Sequence, residues 1–260
     1  MIVRSPAARN VARTVGLVIT AAAVFFGGTS LASTMAHVEH PATTIPLPAD
    51  IAVLDLRSDR GAVVIDGGLG GANRLIQTIH TGLTSPEIAI GVVGATAIHK
   101  TNCRWFDDRC GVDLTAAVNP ALPVTASSTG GDIRVRGVES TISVDSSGGD
   151  VSVQDSTGDM GLRSSAGDVH VFDSRPSNVA AHSSAGDVRI DLDAAPKTVT
   201  ADSSAGDVLV VLPNGPTLYR VEASSSGGAT EVQVHTDPTS TNVIRVSSSG
   251  GDVTVRYAER

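Results

Sequence analysis

The sequence is poor in bulk. Only 3% of its 260 residues are aromatic, with 1 Trp, 2 Tyr and 4 Phe, too few to fill a wide globular interior. The 41% apolar content is still enough to build a sizeable core from smaller side chains. Lysine and glutamate are scarce too: 2 Lys stand beside 17 Arg, and 6 Glu beside 21 Asp. Glu favours helix interiors whereas Asp favours turns and caps, so this balance predicts many tight turns and little helix. A formal net charge of -8 excludes sequence-independent binding to phosphate backbones, which needs clustered Lys and Arg, and nucleic acid is not an expected partner. Two cysteines are too few for a disulfide scaffold, and the composition argues against disorder and collagen.

One apolar run stands out. Arg4, Arg9 and Arg13 precede an uncharged stretch from Thr14 to Ser33, the basic-then-apolar order that export machinery reads. Small residues at Ser30-Leu31-Ala32 and Thr34-Met35-Ala36 fit cleavage after Ala32 or Ala36, while about 20 apolar residues also suffice to span a bilayer. Residues 1–33 are therefore expected to be a signal peptide or a transmembrane helix, followed by a Pro-containing linker over 34–49. Both readings place the remainder outside the cytoplasm, either held at the cell membrane or secreted. In that oxidising compartment Cys103 and Cys110, seven positions apart, are expected to close a small disulfide hairpin. His99 does not complete a metal set with them.

From Val124 onward one phrase recurs, Ser-Ser-x-Gly-Asp-Val-x-Val, with its aspartates at 132, 150, 168, 187, 207 and 252 and a degenerate copy ending at Ala229. The intervals run from 18 to 23 residues, a solenoid period. Counting each Asp as zero, alternation assigns positions +1 and +3 to the interior, for example Val151/Val153 and Val188/Ile190. Positions -8 and -6 form a second inward column, such as Ile142/Val144 and Val179/Ala181. Small Val, Ile and Ala side chains suit a thin interior between facing sheets. The expected fold is all-β: a parallel β-solenoid of two short strands per rung, about 18–23 residues each, stacked at about 4.8 Å. Each turn glycine is expected to supply a special backbone angle while Ser and Asp accept from turn amides. Insertions and Pro176, Pro196, Pro213, Pro216 and Pro238 all fall on the opposite edge, where no ladder hydrogen bond is required of them. Residues 50–123 are read as irregular first rungs plus a cap carrying the cysteine hairpin, with Asn73 to Gly82 a short helix or an irregular connection. Residues 124–260 are the regular repeats.

The export segment, the Pro-containing linker and the serial Ser-Ser-x-Gly-Asp-Val-x-Val units resemble the bacterial putative-adhesin family of β-strand-repeat proteins, over roughly residues 50–260. The resemblance implies an envelope-associated parallel β-coil with no catalytic motif and no cofactor.

Three features invite a chemical reading. The aspartates Asp132, Asp150, Asp168, Asp187, Asp207 and Asp252 line one edge like a calcium ladder, but the Gly-Gly-x-Gly-x-Asp nonapeptide spacing of calcium β-rolls is missing, which favours structural turns. His170, His182, Asp168 and Ser183 lie close along the coil as an imaginable triad, without a nucleophile elbow. Arg104, Trp105 and Phe106 gather the only Trp beside an Arg, the residue types that dominate interfaces; they are read as a contact site or as a plug for the end of the coil. With the resemblance, which implies an adhesin-like role, these features predict a non-enzymatic surface module whose partner is a surface protein or glycan, with the membrane reached through the N-terminal helix. An extracellular carbohydrate-active enzyme on a β-helix and an envelope-stress accessory protein are the alternatives.

Overall fold

The computed structural model describes residues 38–68 and 73–259. The apolar N-terminal segment, read above as a signal or transmembrane helix, lies outside them. Among the described residues no helix is long and apolar enough to cross a membrane.

The described residues form two facing sheets of 12 and 10 strands, and all but four strand pairs are parallel. Each rung gives one strand to each sheet. In chain order the rungs are Val53–Ser58 with Val63–Asp66, Thr96–Asn102 with Gly111–Ala117, and Val124–Ser128 with Ile133–Arg136. Ile142–Ser146 with Val151–Gln154, Met160–Ser164 with Val169–Ser174, and Asn178–Ser183 with Val188–Leu192 follow. The last three are Thr198–Ser203 with Val208–Leu212, Arg220–Ser225 with Thr230–Gln233, and Val243–Ser248 with Val253–Tyr257.

Equivalent side chains stack in register. Val151 pairs with Ile133 and Val169, and Ile142 pairs with Val124 and Met160. Both predicted inward columns are buried from Val124 to Val210 and again in the rung of residues 243–257. They form one continuous core with Leu54, Leu56, Val63 and Ile65.

The stacking order departs from the simple coil at both ends. The 53–66 rung sits between the 96–117 rung and the 124–136 rung. At the other end the 243–257 rung, last in sequence, inserts between 198–212 and 220–233. Each outermost rung is thus the second from its end in sequence, and the chain's first and last rungs have neighbours on both sides. A rung with two neighbours frays less than one with a single neighbour, because solenoid stability is mostly nearest-neighbour contact.

The segment between Gly67 and Thr96 corrects the sequence expectation. Arg74–Thr81 is a strand and not a helix, paired antiparallel to Gly111–Ala117, and Glu87–Val93 pairs antiparallel to Thr96–Asn102. These two strands extend both sheets past the last rung. The apolar alternation was hidden because an inward position is polar: Gln77 is buried and its Oε1 lies 2.9 Å from His99 Nε2. Burial lowers the His99 pKa below the ordinary histidine value, so this imidazole is neutral core. The linker is not free either. Val38–Glu39 and Thr43–Pro46 pair antiparallel with Arg74–Thr81, and Ile45 and Leu47 pack on the core.

The repeated turn glycines are required for a different reason from the one expected. Among the described glycines, positive φ occurs at Gly61, Gly94 and Gly137, none of which immediately precedes a ladder aspartate. A Cβ on Gly167 would instead lie 2.4 Å from the Gly149 carbonyl oxygen, and one on Gly186 2.4 Å from that of Gly167. Glycine is needed because successive turns stack backbone on backbone. Left-handed residues sit on the opposite edge, where Asp155 and Asp173 have φ of 50° and 51° in a region that Asp tolerates better than most side chains.

Candidate functional site

Three surfaces merit comparison: the aspartate edge, the cysteine hairpin and the outer face of the 10-stranded sheet.

On the aspartate edge the repeated polar atoms bind the fold to itself. Oδ1 of Asp132, Asp150, Asp168, Asp187 and Asp207 accepts the backbone N–H of the aspartate one rung further along the stack, at 2.8–3.1 Å. Asp252 closes the series by accepting from Ala229 at 2.7 Å. Having no carboxylate, Ala229 ends the ladder at the outermost rung. The first serine of each turn is spent in the same way. Ser183 Oγ accepts the Gly186 N–H and donates to the Gly167 carbonyl, both at 2.9 Å, and Ser164 and Ser203 repeat the arrangement. Among the described residues no group of three or more His, Cys, Asp or Glu is placed to hold a metal ion. Thermal melts in EDTA and in millimolar calcium are expected to coincide. A calcium-dependent rise in Tm would show that a ligand stabilises the folded state by mass action.

The same geometry separates the imagined triad. Ser183 is buried between the sheets, while His182 beside it faces outward on the 10-stranded sheet. His170 faces outward on the other sheet. The three side chains point three ways.

The cysteine hairpin occupies the place of a Ser-Ser-x-Gly-Asp turn in the 96–117 rung. Cys103 and Cys110 are joined, with an S–S distance of 2.06 Å and Cα atoms 5.8 Å apart. The loop between them is pinned from several sides. Asp59 Oδ2 accepts the Cys103 N–H at 2.8 Å, and the Arg60 guanidinium donates to the carbonyls of Asp107 and Trp105. Buried Asp107 accepts the N–H and the hydroxyl of Thr84 at 2.6 and 2.9 Å. On this fixed loop Trp105 is 73% exposed, and Phe106 packs edge-to-face against it at 5.7 Å. The indole does not plug the stack, whose end is closed by the antiparallel strands. Arg104 is exposed beside it, lining a shared hollow with Trp105, Phe106 and Glu87.

Sequence reasoning missed the third surface. The outer face of the 10-stranded sheet carries an open hollow of about 630 Å³ with Ser143, Gly161, Ala180 and Thr200 along its floor and Asp145, Arg163, His182 and Asp202 along one side. The signal was present at position -7, an outward partner of the inward column, where two successive rungs carry only Gly161 and Ala180. Asp145 and Asp202 line this hollow three rungs apart, about 14 Å along the stack. Paired-carboxylate hydrolysis of glycosides needs separations of roughly 5–10 Å, so these two do not converge as an acid and base.

A two-sheet parallel β-solenoid with turn ladders of Ser, Gly and Asp defines the class. Residues 117–256 match the family described as Toastrack DUF4097, and the chain belongs to that family. Among solved structures, a putative adhesin from Bacteroides fragilis is similar at 18% identity and a TM-score of 0.52, covering 84% of this chain and 96% of that one. A putative cell adhesion protein from Clostridium sporogenes aligns at 12% identity and a TM-score of 0.43, over 84% of this chain and 99% of that one. A putative adhesin from Parabacteroides merdae aligns at 11% and 0.45, over 84% and 96%. No curated protein matches the chain.

Proposed function

We propose that the protein is a non-enzymatic surface module, a β-solenoid rod held outside the cytoplasm by its N-terminal apolar segment and presenting its sheet faces to a surface protein or glycan. The observation that carries this reading is the commitment of the repeated polar side chains to the fold. Each ladder carboxylate and buried turn serine already has a backbone partner, and His170, His182, Asp145 and Asp202 do not converge on one point. The Bacteroides fragilis neighbour, itself described as a putative adhesin, agrees with the reading at the level of fold.

Protease digestion of intact cells, combined with fractionation, tests it. The full chain is expected in the membrane fraction, resistant to salt extraction, with residues beyond Val38 removed by protease added outside. Protein found only in the medium, with its N-terminus at Ser33 or His37, would mean a cleaved signal and a secreted rod. Release of sugars from envelope glycans by purified protein, lost on Asp145→Asn or Asp202→Asn, would replace the module with an enzyme.

A further inference from the structure

We propose that the corner of the rod where the chain enters, formed by Val38, Leu83, Arg104 and Trp105, rests in the headgroup layer of the membrane; the inference rests on reading residues 14–33 as the anchor. Chain length makes the first argument. The uncharged stretch read as the anchor ends at Ser33 and the first strand begins at Val38. With four residues between them, Thr34 to His37, the five steps from Ser33 to Val38 reach at most about 18 Å. The headgroup layer itself is roughly 5–8 Å thick on each side of the hydrocarbon, so Val38 can lie only a short distance beyond it.

Contacts then place the other side chains at that corner. Val38 pairs with Thr81, whose hydroxyl donates to the Val38 carbonyl at 3.2 Å. The chain continues from Thr81 through Gly82 and Leu83 to Thr84, which is bonded to Asp107, two residues from Trp105. Val38, Leu83 and Trp105 are 52%, 39% and 73% exposed, a set of large apolar side chains gathered where the tether arrives.

The chemistry fits an interface. Tryptophan concentrates at membrane–water boundaries because its ring is amphipathic, and an arginine beside it pairs with lipid phosphate. The hairpin holds the indole outward through a disulfide and the bonds from Asp59 and Arg60, so little ordering cost remains on insertion. A folded protein partner is disfavoured by space, since it would have to enter the gap of at most about 18 Å left by the tether.

Trp105 is the only tryptophan in the chain, so its emission reports this corner alone. The full-length protein is reconstituted into phosphatidylcholine and phosphatidylglycerol vesicles in which part of the lipid is brominated, either near the headgroup or near the chain end. Emission is expected to be blue-shifted and quenched severalfold more by the headgroup-proximal bromines. Val38→Glu combined with Leu83→Glu is expected to relieve the quenching while the protein still floats with the vesicles and melts at an unchanged temperature. Flotation with no quenching by either lipid would overturn the inference and leave the anchor standing. Failure to float would remove the anchor, and the inference with it.

Discussion

Val188→Asp is expected to lose about 4 kcal/mol or more of folding stability, the range reached when an unpaired carboxyl is buried. Val188 is 1% exposed, in mid-stack, with Val169 and Val208 as its register neighbours. No polar group of the inward columns is available to it there. Burial raises a carboxyl pKa, so the unfolded chain releases its proton first, and the loss should be smallest near pH 4 and grow as the pH rises. Inserting a few Gly and Ser residues between Ala194 and Lys197 is expected to cost only a fraction of a kcal/mol, because doubling a surface loop adds about 0.6 kcal/mol of closure entropy. Thermal and urea melts of the two variants, side by side, check the assignment of inner and outer faces. A silent Val188→Asp with a damaging insertion would reverse it.

Two deletions are expected to behave opposite to their positions in sequence. Removing Pro238–Arg260 takes away an interior rung, including Ile244, Val246, Val253 and Val255, all buried. At about 1.5–3 kcal/mol for each fully buried side chain, the gross loss is roughly 6–12 kcal/mol, comparable to the whole stability of a typical domain. It also detaches the 220–233 rung, which pairs only with the rung removed. Joining Pro213 directly to Asp237 deletes the outermost rung instead. Val221 and Ala223 are only partly buried there, Thr230 and Val232 are exposed, and Tyr219 is the one fully buried side chain lost, so this internally shortened chain should stay folded with a smaller fall in Tm than the terminal deletion causes. If the terminal deletion behaves like the loss of one frayed end while the internal one unfolds the protein, the rungs stack in chain order.

The inward columns were legible because alternation needs no partner: a residue two positions from another inward one faces the same way whatever stacks above it. The cysteine pair was legible from its seven-residue spacing. Stacking order was not, because each turn offers the same carboxylate and the same amide, so neighbouring rungs are chemically interchangeable. The clue lay in the degenerate copy. Ala229 lacks the carboxylate that would receive another rung, and Thr230 weakens the apolar column, as suits a rung with nothing beyond it. The cap strands were obscured by the buried Gln77–His99 pair, which reads as polar in sequence and behaves as core in the structure. At the candidate sites, the exposed Trp105 hairpin was visible as composition, but the hollow over Gly161 and Ala180 was not, since small outward residues look like ordinary surface until their taller neighbours are placed.

Native-state amide hydrogen exchange on the intact protein tests the interleaved stack most directly. Amides of the final rung that bond to its inner neighbour, Val243 to the Lys197 carbonyl and Ser249 to that of Ser203, should exchange far more slowly than Thr230 to Gln233, which lie earlier in sequence and should exchange fast through local fraying. Fast exchange at Val243 and Ser249 together with full protection at Thr230 to Gln233 would contradict it.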